Sequence, residues 1–468
     1  MAKKLPALCP CGSGRTLAAC CGRFINEGMI PPSAVALMRS RYSAFALNRE
    51  DWLRLTWAKE TCPAEALIDP AVKWIGLTVK NETQIDATHA TVEYIARGRA
   101  GSTGAFRLHA VSRFEKREGR WFYVDELPYS KWRFCVAPML DWTDKHCRYF
   151  HRTLTKCARL YTEMVTAPAL IFGDRNRFLS FNAAEHPVAC QIGGSDPAQL
   201  AQVAAWIDQA GYDEINLNCG CPSERVQKGS FGACLMLDPT LVAECFKAMK
   251  EATDIDVTIK HRVGVDGRDD YDFVRDFVGT LFDAGCRTFI VHTRSAWLKG
   301  LSPKENREVP PLRREYAATL KKDFPEAQIV INGGIHDLGL AEELLEGVDG
   351  VMLGREAYTN PWILSDVDAR LFGRKDEPVT RETVIEEMTA YLKVQYPKDS
   401  RVLRGTARHM LGLLNGLAGA KAWRRFLSNP LAYERYKTEV LREAFARAGW
   451  RESCDENSRF DDDEFAGF

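Results

Sequence analysis

The sequence lacks the features that direct a protein into or across a membrane. No uncharged apolar run in its 468 residues approaches the ~18 residues that a membrane-spanning helix needs. Lys3 and Lys4 stand near the start, but no apolar segment follows them before Cys9, so we expect no signal peptide. Without a secretory signal, the fifteen cysteines indicate metal-binding or catalytic thiols in a reducing compartment and not a disulfide framework. We therefore expect a cytoplasmic protein.

The chain also lacks a surplus of charge, because 63 lysines and arginines balance 63 aspartates and glutamates. A net charge of zero excludes a global field that attracts nucleic acid, so local basic clusters must hold any RNA partner. Hydrophobic residues make up 46% of the chain, which is ample for sizeable cores. The length allows about three domains at roughly 150 residues each.

Four cysteines stand close together near the start of the chain: Cys9, Cys11, Cys20 and Cys21. Glycines between them allow tight turns, and thiolates at this density suit a structural zinc ion with all four positions closed. A reactive or disordered cysteine-rich segment is the alternative. The run CPCGSG at 9–14 and the paired cysteines at 20–21 resemble the SEC-C zinc motif, to which we assign residues 1–24. The resemblance implies that these four thiols hold the metal.

Residues 25–130 read as an α+β accessory domain. Two helices, Pro32 to Leu47 and Glu50 to Trp57, are predicted before an antiparallel meander of four strands. The predicted strands are Trp74 to Val79, Ala90 to Ala96, Ala105 to Glu115 and Arg120 to Leu127, the last two joined by Glu118-Gly119. With the zinc motif, SRYSAF at 40–45 and RWFYVDE at 120–126 resemble small SEC-C proteins with a nuclear-transport-factor-like cone fold. That family implies no activity, and we expect an accessory binding or RNA-docking module.

Residues 131–370 alternate buried strands with helical or long connecting stretches, as an α/β fold of the TIM (β/α)8 barrel type does. Eight strands are predicted: Phe134 to Ala137, Leu160 to Met164, Val188 to Ile192, Glu214 to Leu217, Val257 to His261, Thr288 to His292, Gln328 to Ile331 and Gly350 to Leu353. A doubly wound sheet is the alternative, but no GxGxxG follows the first strand.

Polar residues follow the predicted strand ends, which is where barrel enzymes keep their chemistry. Cys221 follows the fourth strand, and glycines follow the seventh and eighth, where barrels bind phosphate through backbone N–H groups. Lys260, at the end of the fifth strand, is placed to meet negative charge on a reduced flavin ring. Gln191 or His292 alone has a packing explanation, but polar groups at all eight ends do not. The pattern predicts a barrel enzyme with a phosphorylated redox cofactor and an acid-capable thiol.

A set of motifs within residues 133–430 resembles the tRNA-dihydrouridine synthases and fits their A-type. The motifs are APMLDWTD, YTEMVT, NLNCGCPS, FGACLM, SPKENREVPPL, INGGI and GREAYTNP. The resemblance implies FMN in the barrel, NADPH as reductant, and reduction of uridine in the tRNA D-loop, at U20 and U20a. It places the flavin contacts at Pro138, Met139, Leu140, Gln191, Lys260, His292, Asn332, Gly333, Gly334, Gly354 and Arg355.

The same resemblance makes Cys221 the catalytic acid, because the family pattern N-x-G-C-P selects it over Cys219, a second thiol in the same turn. Hydride from the flavin adds to C6 of uracil, and a proton must then reach C5. A thiol with a pKa near ~8.5 is mostly protonated at neutral pH and can supply that proton. The base must leave its stack, which costs little for a loop nucleotide. The family implies that Asn218 hydrogen-bonds the uracil edge.

Local basic clusters occur in two places. The loop after the sixth strand matches the family at SPKENRE, which implies RNA contacts for Lys304 and Arg307. Residues 371–450 have the periodicity of a four-helix bundle, and residues 401–425 carry six cations and no acid, the electrostatic footprint of an RNA surface. RHMLGL and WRRF match the family and imply contacts by Lys421 and Arg424. Residues 451–468 are acidic, and we expect a disordered tail there.

The expected partner is therefore tRNA, without DNA or a membrane, and the protein is expected to be a monomer. Two other functions stay open. A dihydroorotate-type or old-yellow-type flavin oxidoreductase acting on a small molecule would need no basic bundle. A zinc-bearing RNA-binding protein with an inactive barrel would bind no flavin.

Overall fold

The structure, a computed structural model, describes residues 8–100, 104–127, 130–223, 231–374, 378–395 and 400–449. The chain divides into two compact units, which we describe separately. The N-terminal unit is Met1–Tyr129 with Arg374–Asp376, and the second unit is Ser130–Gly373 with Glu377–Phe468. The predicted acidic tail lies outside the described residues. None of the helices in the described parts of the chain is long and apolar enough to cross a membrane.

The N-terminal unit is a four-stranded antiparallel sheet with helices packed against it. The helices are α1 (Gly22–Ile25), α2 (Ala34–Ala46) and α3 (Glu50–Leu55). The strands are β1 (Val72–Gln84), β2 (His89–Ala100), β3 (Gly104–Arg117) and β4 (Arg120–Leu127), paired in that order as a meander. Glu118 and Gly119 both have positive φ and join β3 to β4, which confirms the predicted hairpin.

A capping residue and a buried apolar face explain where α2 begins and how it packs on the sheet. Ser33 caps α2 by accepting the N–H of Ala36 at 3.2 Å. The inner face of α2 then packs on the sheet through Leu37 and Tyr42, in a core that includes Phe114. The first three strands are longer than predicted because their ends carry polar residues, which give no alternating apolar signal.

The second unit contains a closed barrel of eight parallel strands, which confirms the predicted TIM fold. The barrel is closed because β6 pairs with β5 on one side and with β8 on the other. The barrel strands are β5 (Phe134–Val136), β6 (Arg159–Tyr161), β8 (Val188–Gly193), β9 (Glu214–Cys219), β10 (Asp256–Arg262), β11 (Thr288–His292), β12 (Gln328–Asn332) and β13 (Gly350–Leu353). A short strand, β7 (Val165–Thr166), pairs beside β8.

Helices surround this barrel, and most of them begin at an aspartate. Asp144, Asp196, Asp238, Asp270 and Asp337 each accept a backbone N–H in the first turn of the helix that follows. The helices are α4 (Lys145–Leu154), α5 (Ala167–Phe172), α6 (Arg175–Phe178), α7 (Pro197–Gln209), α8 (Pro239–Glu251), α9 (Tyr271–Asp283), α10 (Arg314–Asp323), α11 (Leu338–Leu345), α12 (Arg355–Thr359) and α13 (Val367–Phe372).

Five α-helices follow the barrel within residues 378–395 and 400–449. They are α14 (Arg381–Gln395), α15 (Ser400–Ala407), α16 (Ala420–Leu427), α17 (Pro430–Tyr436) and α18 (Val440–Ala448). The prediction of four helices was wrong at two points. The second helix ends at Ala407 and is followed by a 3₁₀ turn at Arg408–Met410. Gly412 then lies so close to Thr359 that a Cβ on it would be 2.3 Å from the Thr359 carbonyl oxygen. The fourth helix is broken at Lys437, whose φ is +48°.

Candidate active site at the mouth of the barrel

The turn after β9 holds Cys221 by a local hydrogen-bond motif. The side-chain oxygen of Asn218 accepts the backbone N–H groups of Gly220 and Cys221, both at 3.0 Å. An asparagine that bonds to the backbone two and three residues ahead fixes a tight turn. Cys221 is partly buried, with its Sγ 3.6 Å from the hydroxyl oxygen of Ser223. The turn therefore presents the thiol at the carboxyl end of the strand.

A chain of hydrogen bonds between buried polar side chains supports this turn from inside the barrel. The Asn218 amide donates to Gln191 at 2.8 Å, Gln191 donates to Asn216 at 2.8 Å, and Asn216 donates to Thr258 at 2.8 Å. Thr258 in turn donates to the carboxylate of Glu214. Gln191, Asn216, Thr258 and Glu214 are at most 1% exposed. Such a network specifies one arrangement, because an unpaired buried polar group costs ~1–3 kcal/mol.

Arg262 joins the Cys221 turn to the long loop after β11. Its guanidinium donates to the carbonyl oxygen of Gly220 at 3.0 Å, of Ser295 at 3.1 Å and of Asn306 at 2.8 Å. Asn306 is fully buried and closes that loop by accepting the N–H of Trp297 at 2.8 Å and donating to its carbonyl oxygen at 2.9 Å. Sequence reasoning assigned no role to Arg262 or Asn306, because the three backbone partners of Arg262 lie 33 to 44 residues away and leave no local pattern.

Lys260 lies partly buried beside the thiol, and its amine donates to the Asn332 side-chain oxygen at 3.0 Å. Burial, reinforced by the charge of Arg262, lowers the pKa of Lys260 to about 7. Lys260, Arg262 and Arg307 are all close enough to interact with charge on Cys221. An anion placed at this mouth would therefore be attracted by several cations at once.

His292 is uncharged at neutral pH. Burial lowers its pKa well below the usual range, and the charges of Arg262 and Lys260 add to the effect. It pairs with Asn332 across β11 and β12, so two of the predicted flavin contacts are neighbours. A neutral imidazole can donate one hydrogen bond and accept another.

The segment after β12 forms a backbone cradle. Gly333 and Gly334 both have positive φ, and a Cβ on Gly333 would lie 2.9 Å from the His292 ring, so only glycine fits. Arg314 donates to the carbonyl oxygen of Gly334 at 2.7 Å. The buried Nε atoms of Arg294, Arg313 and Arg314 have no hydrogen-bond partner among the described residues. Unpaired guanidinium donors beside a glycine-rich strand end are what a phosphate group needs.

The remaining predicted flavin contacts follow the first and the last barrel strands, β5 and β13. Met139 is partly buried against the barrel interior, and its N–H donates to the Thr143 hydroxyl at 2.9 Å. A Cβ on Gly354 would lie 4.0 Å from the Met139 sulfur, so the ends of β5 and β13 meet. Pro138 is partly buried, whereas Leu140 and Arg355 are exposed, and Arg355 pairs with Glu308 at 2.6 Å.

The two thiols of the turn occupy different environments. Cys219 is fully buried as the last residue of β9, and burial raises its pKa well above the usual range. The Cys221 side chain is partly exposed. Of these two thiols, Cys221 is therefore the one accessible to a ligand at the mouth.

The predicted RNA contacts lie on the surface. Lys304 and Arg307 are exposed at a 3₁₀ turn in the loop that Arg262 anchors. Lys421 and Arg424 are exposed on α16, and Arg424 donates to the Asn415 side chain at 2.7 Å. They remain predictions as RNA contacts.

The four N-terminal cysteines converge on one point. The Sγ atoms of Cys9, Cys11, Cys20 and Cys21 all lie within 4.8 Å of one another. The Cys11 and Cys20 sulfurs are 3.6 Å apart, and the Cys20 and Cys21 sulfurs 3.9 Å apart. Four sulfurs at this spacing suit a tetrahedral ion with Zn–S bonds of ~2.3 Å.

Comparison with known proteins confirms the resemblance seen in the motifs. A family model described as dihydrouridine synthase matches residues 135–448. The chain belongs to the dihydrouridine synthase family. Two further family models match N-terminal to this region. The SEC-C motif matches residues 6–23, and the YchJ middle NTF2-like domain matches residues 33–126.

Relatives of this dihydrouridine synthase carry a more specific name. The tRNA-dihydrouridine(20/20a) synthase of Pseudomonas aeruginosa is 54% identical over 296 residues, which are 63% of this chain and 89% of the relative. Proteins of the same name from Vibrio vulnificus and Escherichia coli O6:H1 are both 52% identical, over 67% and 64% of this chain and over 96% and 90% of their own lengths.

Two solved structures also match part of the chain. A SEC-C motif containing protein from Rhodopseudomonas palustris is 33% identical and covers 25% of this chain and 96% of its own, with a TM-score of 0.23. A second such protein, from Psychrobacter arcticus, is 23% identical and covers 27% of this chain and 87% of its own, also with a TM-score of 0.23.

Proposed function

We propose that this enzyme reduces uridine to 5,6-dihydrouridine in the D-loop of tRNA, at U20 and U20a, with bound FMN and with NADPH as reductant. The observation that carries the proposal is the Cys221 turn, which presents a thiol among three cations at the mouth of the barrel. Relatives that are 52–54% identical are named for dihydrouridine at positions 20 and 20a.

The residues at the mouth fit FMN. Its phosphate would be held at Gly333, Gly334 and Gly354, where guanidinium donors of neighbouring loops have unused hydrogen-bonding capacity. Its ring would lie near Lys260, His292 and Asn332. Bound FMN would supply the hydride that saturates the C5–C6 bond of uracil.

The protein's own part of the reaction is to deliver a proton and to orient the base. Cys221 holds that proton at Sγ, on a turn fixed by Asn218. Cys219 is buried within its strand and cannot reach a base at the mouth. Asn218 uses its oxygen on the turn, so a uracil contact would use the amide N–H not donated to Gln191.

The RNA would be held by positive charge outside the mouth. We propose Lys304 and Arg307 beside the reacting base, and Lys421 and Arg424 on the helical region. Phosphate contacts of this kind position an RNA without reading its sequence. The shape of the tRNA would then select the uridine.

The four N-terminal thiols fit one zinc ion, and we propose that they bind it. A closed site of four thiolates leaves no position for a substrate, so the role of the ion is structural. Binding of the metal stabilises the short loops that carry the thiols.

Mapping dihydrouridine in tRNA from cells that lack the gene tests the function directly. Loss at U20 and U20a, restored by the purified yellow protein with NADPH, is the expected result. A colourless protein that binds tRNA would favour the RNA-binding alternative with an inactive barrel. A yellow protein that turns over without tRNA would favour a small-molecule flavin oxidoreductase.

A further inference from the structure

The charge of this neutral chain is distributed unevenly. Residues 1–129 contain 18 lysines and arginines but only 13 aspartates and glutamates. An excess of five positive charges on a domain of this size is a local electrostatic footprint in a chain that has no global one.

Part of this excess lies on the outer face of the sheet, at the start of β1 and the end of β2. Lys73 stands directly opposite Arg99 in the antiparallel register, and Arg97 lies two residues from Arg99 on the same face. All three side chains are exposed. Trp74, between the exposed Lys73 and Ile75, packs against Tyr42 of α2, which fixes the direction of the lysine. We call Lys73, Arg97 and Arg99 the cationic strip.

The strip is not neutralised by neighbouring acids. None of its three members forms an ion pair with any side chain that the structure describes. Asp69, just before β1, instead accepts the backbone N–H of Ala71 at 2.8 Å. The sequence between β2 and β3, Gly101-Ser102-Thr103, contains no charged residue.

Two arginines elsewhere on the same sheet have acidic partners. Arg113 pairs with Asp125 across β3 and β4, and Arg117 pairs with Glu60 and with Glu115. Like charges directly opposite each other destabilise a sheet. Arg117 also lies opposite an arginine, Arg120, but it is paired with acids. Lys73 opposite Arg99 has no such compensation, and an anionic ligand would relieve the repulsion there.

We propose that the cationic strip binds the phosphate backbone of the tRNA substrate, so that the N-terminal unit is a second contact with the RNA. This inference rests on the proposed function. A phosphate backbone fits better than an acidic protein, because protein interfaces need an apolar, aromatic core. Among the side chains that the structure describes, Ile75 is the single exposed large apolar one beside the strip. Contacts to phosphate need only cations at regular spacing.

The test compares two charge-reversed forms of the full-length protein. Lys73→Glu with Arg99→Glu alters the strip, and Lys59→Glu with Arg120→Glu makes the same charge change at exposed positions away from it. Affinity for tRNA is measured over a range of salt concentrations, and turnover at saturating tRNA is measured beside it. We expect the strip variant to bind about tenfold more weakly near ~0.1 M salt, with a slope of log Kd against log salt reduced by about 1.5.

We expect the matched control to keep the affinity and the salt slope of the unaltered protein. Because the strip acts in docking and not in the reaction, all variants should keep the same turnover at saturating tRNA. Equal affinities and slopes for both charge-reversed forms would overturn the inference and leave an acidic protein as the occupant. If the strip variant does not fold, Lys73→Gln with Arg99→Gln gives the same comparison with a milder change. Failure of the unaltered protein to bind or modify tRNA would instead overturn the proposed function.

Discussion

The side-chain oxygen of Asn218 accepts the backbone N–H of Cys221 at 3.0 Å, so the last inward-facing residue of β9 fixes the backbone of the thiol that follows it. We expect Asn218→Ala to lower the turnover number about 100-fold while leaving flavin bound, because misplacing a reacting group by ~1 Å costs about that factor. Single-turnover formation of dihydrouridine measures the effect, and the flavin absorbance reports cofactor retention.

Asn218→Asp refines this prediction. The aspartate keeps an oxygen for the two N–H groups of the turn but loses the donor to Gln191. It should therefore retain more activity than the alanine variant. Equal loss in both would show that the amide N–H donors of Asn218, to Gln191 and to the uracil, and not this acceptor, carry its contribution to turnover.

The two thiols of the turn can be separated by mutation. Cys221→Ala should keep flavin and tRNA binding and lose about 100- to 10,000-fold in turnover, the usual contribution of a general acid. Cys219→Ala should keep turnover and lose roughly 1 kcal/mol in the free energy of unfolding, because that side chain is fully buried. A folded, flavin-loaded Cys219→Ala protein without activity, next to an active Cys221→Ala protein, would reverse the assignment.

Lys260 should make the flavin-free protein more stable as pH rises. Its pKa is about 7 in the fold, where burial disfavours the charge, and ~10.4 in an unfolded chain. Between these values the unfolded state binds more protons, so the free energy of unfolding rises with pH in this window. Lys260→Met removes the group, so the wild-type value minus the variant value should increase between pH 7 and pH 9.

Urea unfolding of both flavin-free proteins at several pH values measures this difference. The variant is the control for all other titrating groups, because both proteins contain them and their contributions cancel in the difference. A difference that stays constant from pH 7 to pH 9 would mean that the fold does not disfavour the charge of Lys260.

The N-terminal thiols should hold about one zinc ion per chain. Elemental analysis of the purified protein checks this number, and Cys11→Ser should lower the metal content and loosen the N-terminal unit. A chelator should have the same effect, since structural zinc contributes ~10–16 kcal/mol to such sites at neutral pH. A metal-free protein with four freely titratable thiols and a folded N-terminal unit would contradict the assignment.

The barrel and its polar strand ends were predictable because both follow from local pattern. Strands buried on both sides read as short apolar runs, and residues such as Lys260 and Asn332 stand where those runs stop. Gly333 and Gly334, which have positive φ, were predictable as part of the site because they directly follow the apolar run of β12.

The connections between distant segments were not predictable. The bond from Asn216 to Thr258 spans 42 residues, and the bond from Arg262 to Asn306 spans 44. Neither leaves a periodic signal in the sequence. The end of the second bundle helix was missed because the residues after Ala407 keep a helical periodicity, and the close approach of Gly412 to Thr359 is a property of packing that leaves no signal in the sequence.

The three carbonyl bonds of Arg262 limit how this enzyme can be redesigned. A loop exchanged from a relative between β11 and α10, in order to move modification to another nucleotide, would have to present carbonyl oxygens where Ser295 and Asn306 do. Otherwise the guanidinium would lose partners, and the Gly220 carbonyl would lose its rigid donor. Grafts should therefore transfer both loops together with the arginine between them.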